Sequence, residues 1–370
     1  MKVALIVPGG VDRSGEVRVI PALLALIRRL SFDHELHVFA THQEPAPAVW
    51  ELEGARIHNL GLPRTVWRAL KAVRAEHRKA PFQIVQSIWA GSSGAIAVAV
   101  GALLGVPSLV HVGGGELVAL ADIEYGGSIS WRRRFLQHAV LTRATGVTAA
   151  SQPICDLVAE HGVRAQRVPL GVDLERWPPR RPVPRDSDEP ARLVHVASLN
   201  RVKDQATLLR ALCVLADRGR EFRLDVVGED TLSGEIQSLA AQLGLAPRVH
   251  FHGFLTQREL RPIVERAHVA LVSSRHEAGP LVALEAAAVG VPTVGTAVGH
   301  IAEWSPTAAL AVPCGDAAAL ADALESVLDD EDLRLQLGTE ALRRAEREDA
   351  DHTVTEYNGI YRRLVGAAAC

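Results

Sequence analysis

Cysteine is scarce and scattered: the 370 residues hold Cys155, Cys213, Cys314 and Cys370. None forms a CxxC pair, so neither a zinc cluster nor a disulfide framework is indicated. No leader is legible at the start. MKVALIVPGG offers one lysine and a five-residue apolar run, too short for a signal segment and the right length for a buried strand. A reducing cytoplasm is therefore expected. A long unbroken apolar stretch is also missing. Residues 82–115 contain no Asp, Glu, Lys or Arg, but Gly101, Gly105 and Pro107 interrupt them and Gly91-Ser92-Ser93-Gly94 divides them. A spanning helix needs about 20 apolar residues without such breaks. The segment reads instead as strand 84–89, helix 94–104 and strand 108–112, buried in a parallel sheet. The GxGxxG fingerprint of dinucleotide binders is absent as well, which weakens an NAD-enzyme reading.

Charge of either sign is not in excess. Forty basic and 43 acidic residues leave a net charge of −3, which argues against a general nucleic-acid binder. The balance is uneven along the chain, with 18 basic and 13 acidic residues before position 173. A basic front half suits anionic partners or a solvated surface.

What is present is alternation. Strands at 3–7, 35–40, 84–89 and 108–112 interleave with helices at 17–30, 64–79 and 94–104, and short apolar segments at 146–149 and 167–169 follow. WPPRRPVPRDSDEP, residues 177–190, holds five prolines in fourteen positions and excludes a regular element. Strands at 193–197, 223–227, 249–252, 269–273 and 292–295 then interleave with helices at 204–217, 236–243, 259–266 and 280–289. Helices at 317–328 and 332–347 and a segment at 353–364 close the chain. This predicts an α/β protein with two Rossmann-like, doubly wound parallel-sheet domains facing a central cleft. The expected divisions are 1–174, a linker at 175–190, 191–348, and a helix at 349–370 returning to the first domain.

The densest chemistry lies in SSRHEAGPLVALEA, residues 273–286. Glu277 falls in a loop after a strand, and Glu285 lies in the helix that follows. The start of that helix, near Ala278, Gly279, Pro280 and Leu281, presents backbone N–H groups and a positive dipole end to sugar or phosphate oxygens. A carboxylate at 285 has two acceptor oxygens for the two hydroxyls of a ribose. Alone, this spacing equally describes a surface glutamate followed by one that favours a helix start.

The order and spacing of several segments resemble family-4 glycosyltransferases of the GT-B fold. They are VPLGVD (168–173), HVASLNRVKDQATLLRAL (195–212), VVGED (226–230), RVHFHGFL (248–255) and SSRHEAGPLVALEAAAVGVPTVGTAVGHIAE (273–303). The resemblance implies a retaining transferase acting on a nucleotide sugar, either a UDP- or a GDP-sugar, with a glycan or lipid-linked acceptor. It casts Glu285 on the ribose, Glu277 near the reacting carbon, and the backbone at Ala278, Gly279, Pro280 and Leu281 around sugar and phosphates. Lys203 matches the phosphate-binding lysine, since a fixed ammonium stabilises a leaving diphosphate. The family's arginine five residues earlier is replaced by Ser198, and Arg201 is the candidate substitute. Gly228, Gly253 and Leu255 would line the nucleotide pocket. Gly9 and Gly10 would border the diphosphate or acceptor, with Arg13 beside them. His111, before Gly113-Gly114-Gly115, would stand near the donor sugar, with Glu116 a further candidate. His300 occupies a position where a second glycine is usual.

No Asp-x-Asp pair stands in a plausible donor loop, so no metal and no cofactor beyond the nucleotide-sugar co-substrate is expected. Two rivals share the fold: a nucleotide-sugar epimerase, and a non-catalytic partner subunit. Two basic clusters remain. Arg64, Arg68, Lys71, Arg74 and Arg78 recur at helical spacing with Trp67, and Trp131-Arg132-Arg133-Arg134-Phe135 forms the second. Contact with an anionic membrane at the cytoplasmic face, a lipid-phosphate acceptor and a solvated helix face each account for them.

Overall fold

The computed structural model describes residues 1–62, 65–186 and 189–368. It divides into two units: residues 1–171 with 350–370, and residues 172–349. Arg64 and Cys370 lie outside the described residues.

In unit 1 the chain runs β1 (Lys2–Val7), α1 (Pro21–Asp33), β2 (Glu35–Ala40), β3 (Ala48–Leu52), β4 (Ala55–Asn59), α2 (Thr65–Lys79), β5 (Ile84–Ile88), α3 (Ser92–Leu104) and β6 (Ser108–Val112). α4 (Trp131–Arg143), β7 (Gly146–Ala149), α5 (Gln152–Ala159) and β8 (Gln166–Arg167) complete it. The sheet order is β3-β4-β2-β1-β5-β6-β7-β8, parallel except for the β3–β4 hairpin. Strand β1 is buried at every position, as a central parallel strand covered on both faces must be. One face packs α1 and the terminal helix (Ala350–Ala368) through Leu23, Ile27, Tyr357 and Tyr361. The other packs α2 and α3 through Ala69, Val73, Ile96 and Val100. The Tyr361 hydroxyl donates to Gln86 Oε1 of β5, and Thr353 Oγ1 donates to the Pro169 carbonyl at 2.8 Å. These bonds fix the terminal helix to unit 1.

Unit 2 follows with β9 (Ala191–Val196), α6 (Gln205–Asp217), β10 (Phe222–Val227), α7 (Glu235–Gln242), β11 (Val249–Gly253), α8 (Gln257–Arg266) and β12 (Val269–Val272). Next come α9 (Leu281–Ala288), β13 (Thr293–Thr296), α10 (Gly299–Trp304), β14 (Ala309–Val312), α11 (Ala317–Asp329) and α12 (Glu331–Arg347). Its sheet is wholly parallel, ordered β11-β10-β9-β12-β13-β14. The order reverses between β9 and β12, the point where such sheets open a crevice beyond their carboxyl ends.

Several expectations are corrected. The first helix starts at Pro21, not at 17, because Val11 and Val19 form a β-bridge that closes the preceding loop. The β3–β4 hairpin and α4, α5, α10 and β14 were not legible as regular elements. The proline-rich segment has no regular structure, yet it is not a free connector. Trp177 is 2% exposed in the core of unit 2, Arg180 N–H donates to the Ala288 carbonyl at 2.9 Å, and Arg185 N–H donates to Glu331 at 2.7 Å.

Candidate functional site

In unit 2 the loops after β9 and β12 meet at the switch point. Arg275 N–H donates to the Val202 carbonyl at 2.8 Å, and Ser273 Oγ donates to the Lys203 carbonyl at 2.7 Å. These bonds bring Lys203 and Glu277 together although 74 residues separate them. Lys203 Nζ lies 2.5 Å from Glu277 Oε1, and Ser274 Oγ donates to the same oxygen at 2.6 Å. Asp204, in left-handed conformation, caps α6 immediately after the lysine. The ammonium is thereby fixed at the mouth of the crevice and neutralised by Glu277.

Glu277, Ala278, Gly279 and Pro280 lead into α9, whose start carries no side-chain cap and no acidic residue. Its first N–H groups therefore face outward as donors for an anion or hydroxyl oxygen. Gly279 is required sterically: a Cβ there would lie 2.6 Å from His300 Nε2. His300 is 1% exposed, stacked on Trp304 at 5.8 Å between centroids, with Nδ1 3.4 Å from Glu303. It serves as the wall behind the glycine loop.

Glu285, one turn into α9, is 5% exposed, and burial pushes its carboxyl up to about 8. Gln257 Nε2 donates to it at 3.0 Å, and Trp177 Nε1 donates to Gln257 Oε1 at 2.7 Å. This Trp177–Gln257–Glu285 relay was not foreseen. Its members are 80 and 28 residues apart, and nothing in local spacing announces them. Ser274 was likewise overlooked. Beneath the site, the His195 ring bonds the Leu271 carbonyl at 2.9 Å and Gln205 at 3.2 Å, and burial holds its pKa down to about 4.

The remaining unit 2 candidates border these loops. Gly228 has φ +152°, and a Cβ there would lie 2.0 Å from the Ala197 carbonyl oxygen, so only glycine fits between β9 and β10. Leu255 packs on the apolar core beneath α8, and Gly253 accepts from Gly228 N–H at 2.8 Å. Arg201 is engaged by Glu235 of α7 at 3.0 Å in an exposed pair.

In unit 1, Gly10 has φ +83° and accepts from Ile20 N–H at 3.1 Å, while Gln43 supports the loop by accepting from Val11 N–H at 3.0 Å. Arg13 makes a two-pronged bond to Glu44, both at 3.1 Å, and lies over the Trp50 ring at 4.8 Å. His111, near the end of β6 before the glycine run, is fully buried. Its Nδ1 is 3.0 Å from Thr148 Oγ1, the ring meets Tyr357 edge-on at 6.2 Å, and burial depresses its pKa to about 3. Gly113 lies directly against it, since a Cβ would stand 3.1 Å from His111 Nε2. Glu116 accepts from Ala90 N–H at 2.9 Å, and burial raises its carboxyl. Among the described residues no group of three His, Cys, Asp or Glu could hold a metal ion, and no helix is long and apolar enough to cross a membrane.

Known proteins resemble both units. Residues 14–172 match the family model "Glycosyl transferase 4-like domain", and residues 179–344 match "Glycosyl transferases group 1". A glycogen synthase of Mycobacterium tuberculosis is 35% identical over 162 residues, 43% of this chain and 39% of that one. The chain spans about two fifths of the length of the first curated relatives it matches (39% and 41%). A D-inositol 3-phosphate glycosyltransferase of Pseudarthrobacter chlorophenolicus is 27% identical over 97% of this chain and 93% of its own. Among solved structures, the sucrose-phosphate synthase of Thermosynechococcus elongatus superposes with a TM-score of 0.79 at 20% identity, covering 99% of this chain and 100% of that one. The Anabaena protein Alr3699/HepE, in complex with UDP and glucose, gives 0.73 at 16% identity, covering 97% and 99%. Two Rossmann-like parallel-sheet units, each matched by its own family model in the same order along the chain, place this protein in the family-4 glycosyltransferases of the GT-B fold.

Proposed function

We propose that this chain transfers a sugar, with retention of configuration, from a nucleoside diphosphate sugar bound by unit 2 to a glycan or lipid-linked acceptor bound by unit 1. The observation that carries this reading is the Lys203–Glu277 pair at the switch point, with the buried Glu285 one turn into the helix that follows. A departing diphosphate gains negative charge, and a preorganised ammonium stabilises it without reorganisation cost. Lys203 is held by Glu277, so an arriving diphosphate exchanges one anionic partner for another. Glu277 is then released toward the donor sugar. The uncapped start of α9 receives phosphate or sugar oxygens, and Glu285 accepts the ribose hydroxyls. The Anabaena structure with UDP and glucose supports a uridine donor as the first to test.

A thermal-shift series with UDP, GDP and ADP on the wild type and on Glu285→Ala tests the reading. One nucleotide at about 100 times its Kd is expected to stabilise the wild type by about 2.7 kcal/mol and to leave the variant unshifted. With the matching sugar nucleotide, Lys203→Ala is expected to lose about 100- to 1,000-fold in turnover. An equal shift in wild type and variant sinks the assignment.

A further inference from the structure

His300 belongs to α10, whose first residues pack directly on the loop that leads into α9. A Cβ on Gly299 would stand 3.0 Å from both the Ala278 carbonyl oxygen and Pro280 Cδ. The His300 ring is locked on its other sides. It stacks on buried Trp304 with 18° between planes, and its Nδ1 lies 3.4 Å from Glu303 Oε2. A carboxylate only accepts, so this contact places a proton on Nδ1. Nε2 points the other way, at Gly279. It is the atom nearest to the Cβ position of that residue, at 2.6 Å, with Cδ2 and Cε1 behind it at 3.2 and 3.3 Å. The ring therefore meets Gly279 tip-first.

Nε2 has no hydrogen-bond partner among the described residues, although the side chain is 1% exposed. A buried nitrogen without a partner costs stability, and an apolar side chain of similar size would pack on Trp304 without that cost. The glycine shows what the nitrogen can reach. Any side chain at 279 would cover it, whereas glycine leaves an opening in the loop whose N–H groups face outward. With the proton on Nδ1, Nε2 is an acceptor. An acceptor repels phosphate oxygens, which Lys203 and the start of α9 are placed to bind. It suits a hydroxyl, which donates.

We propose that His300 Nε2 accepts a hydrogen bond from a hydroxyl of the donor's sugar through the opening at Gly279, and so takes part in selecting which sugar is transferred. The inference rests on the transferase reading above and adds a sugar-selecting residue to its donor site.

Titration calorimetry on the full chain tests it, with UDP, GDP and ADP and with the glucose, galactose and mannose conjugates of whichever nucleotide stabilises the wild type. His300→Leu keeps an apolar side chain against Trp304 and removes the acceptor. At least one conjugate is expected to bind it about tenfold more weakly than it binds the wild type, as loss of one hydrogen bond would cause, while the parent nucleotide changes less than about twofold. His300→Gln, which offers an amide oxygen at similar reach, is expected to recover most of that loss. Three results overturn the proposal: nucleotide and conjugates weakened alike, which would make His300 a packing residue only; no conjugate weakened selectively; or the Leu and Gln variants behaving identically. The two readings fail differently. If no nucleotide shifts the melting of the wild type, the transferase reading falls and the sugar contact falls with it. If a nucleotide shifts the wild type and both variants alike, and no conjugate tells them apart, the sugar contact alone falls.

Discussion

The parallel core of each unit follows one winding scheme, in which the first strand is flanked by the second and the fourth, but the loops at the two reversal points differ in chemistry. Between β9 and β12 of unit 2 the loops bring an ammonium and a carboxylate to 2.5 Å. Between β1 and β5 of unit 1 they bring Gly9 and Gly10 against Gln43 and Ile20, and a cavity of the same unit is walled by Val66, Trp67, Leu70 and Ile96 with Thr41, His42 and Ser92. The fold fixes where a ligand can meet the backbone, and the loop residues decide what kind of ligand it is.

The comparison is broken most severely at the glycines. In unit 2, Gly228→Ala drives a Cβ into the Ala197 backbone in a conformation reserved for glycine, and a loss of about 3 kcal/mol or more is expected in chemical denaturation. In unit 1, Gly10→Ala meets the flexible end of Ile20 at 2.7 Å, so the loss is expected to be about half as large. Equal losses would mean that the two reversal points are not built to different tolerances.

A smaller effect sharpens the contrast within unit 2. Gln257→Leu removes the donor that orients Glu285 and leaves Trp177 Nε1 without its acceptor. Nucleotide affinity is expected to fall about tenfold by titration calorimetry, with the Lys203–Glu277 pair intact. Unchanged affinity would reduce the relay to a packing detail.

The smallest effect is a pH limb. Burial depresses His58, His195 and His268 to about 4 and His111 to about 3, so the unfolded chain takes up protons first as pH falls below 6.5, and stability drops. Glu285 acts in the opposite sense. Folded, it keeps its proton up to about 8 while the unfolded chain loses it near 4.5, so stability drops as pH rises between those values. Four histidines outweigh one glutamate below 6.5, and above it Glu285 remains. A maximum in Tm near pH 6.5 is expected, and Glu285→Gln is expected to flatten only the alkaline side. A variant that flattens the acid side instead would place the titration elsewhere.

Much of this architecture was readable from the chain. Buried parallel strands such as β1 and β12 announce themselves as apolar runs, and the loops after them follow from the alternation. Elements outside that pattern were lost. AVWEL and ARIHN, which form the β3–β4 hairpin, carry charges within a strand, and α4 reads as a basic cluster before it reads as a helix. Lys203, Glu277 and Glu285 stood out by type and context. Their partners Ser274, Gln257 and Trp177 did not, because pairing across 80 residues is a product of packing rather than of spacing. The proline-rich segment misled for the same reason: its composition excludes regular structure but says nothing of where Trp177 is buried.

The position of the terminal helix bears on how the molecule is made. Residues 350–370 belong to unit 1, and Tyr357 and Tyr361 lie at 0% exposure in its core. During synthesis unit 2 is therefore contiguous and complete while unit 1 still lacks a wall, so unit 1, although it begins earlier in the chain, closes after unit 2. A chain halted at residue 349 would expose the face of β1, α1 and β5 that those tyrosines cover.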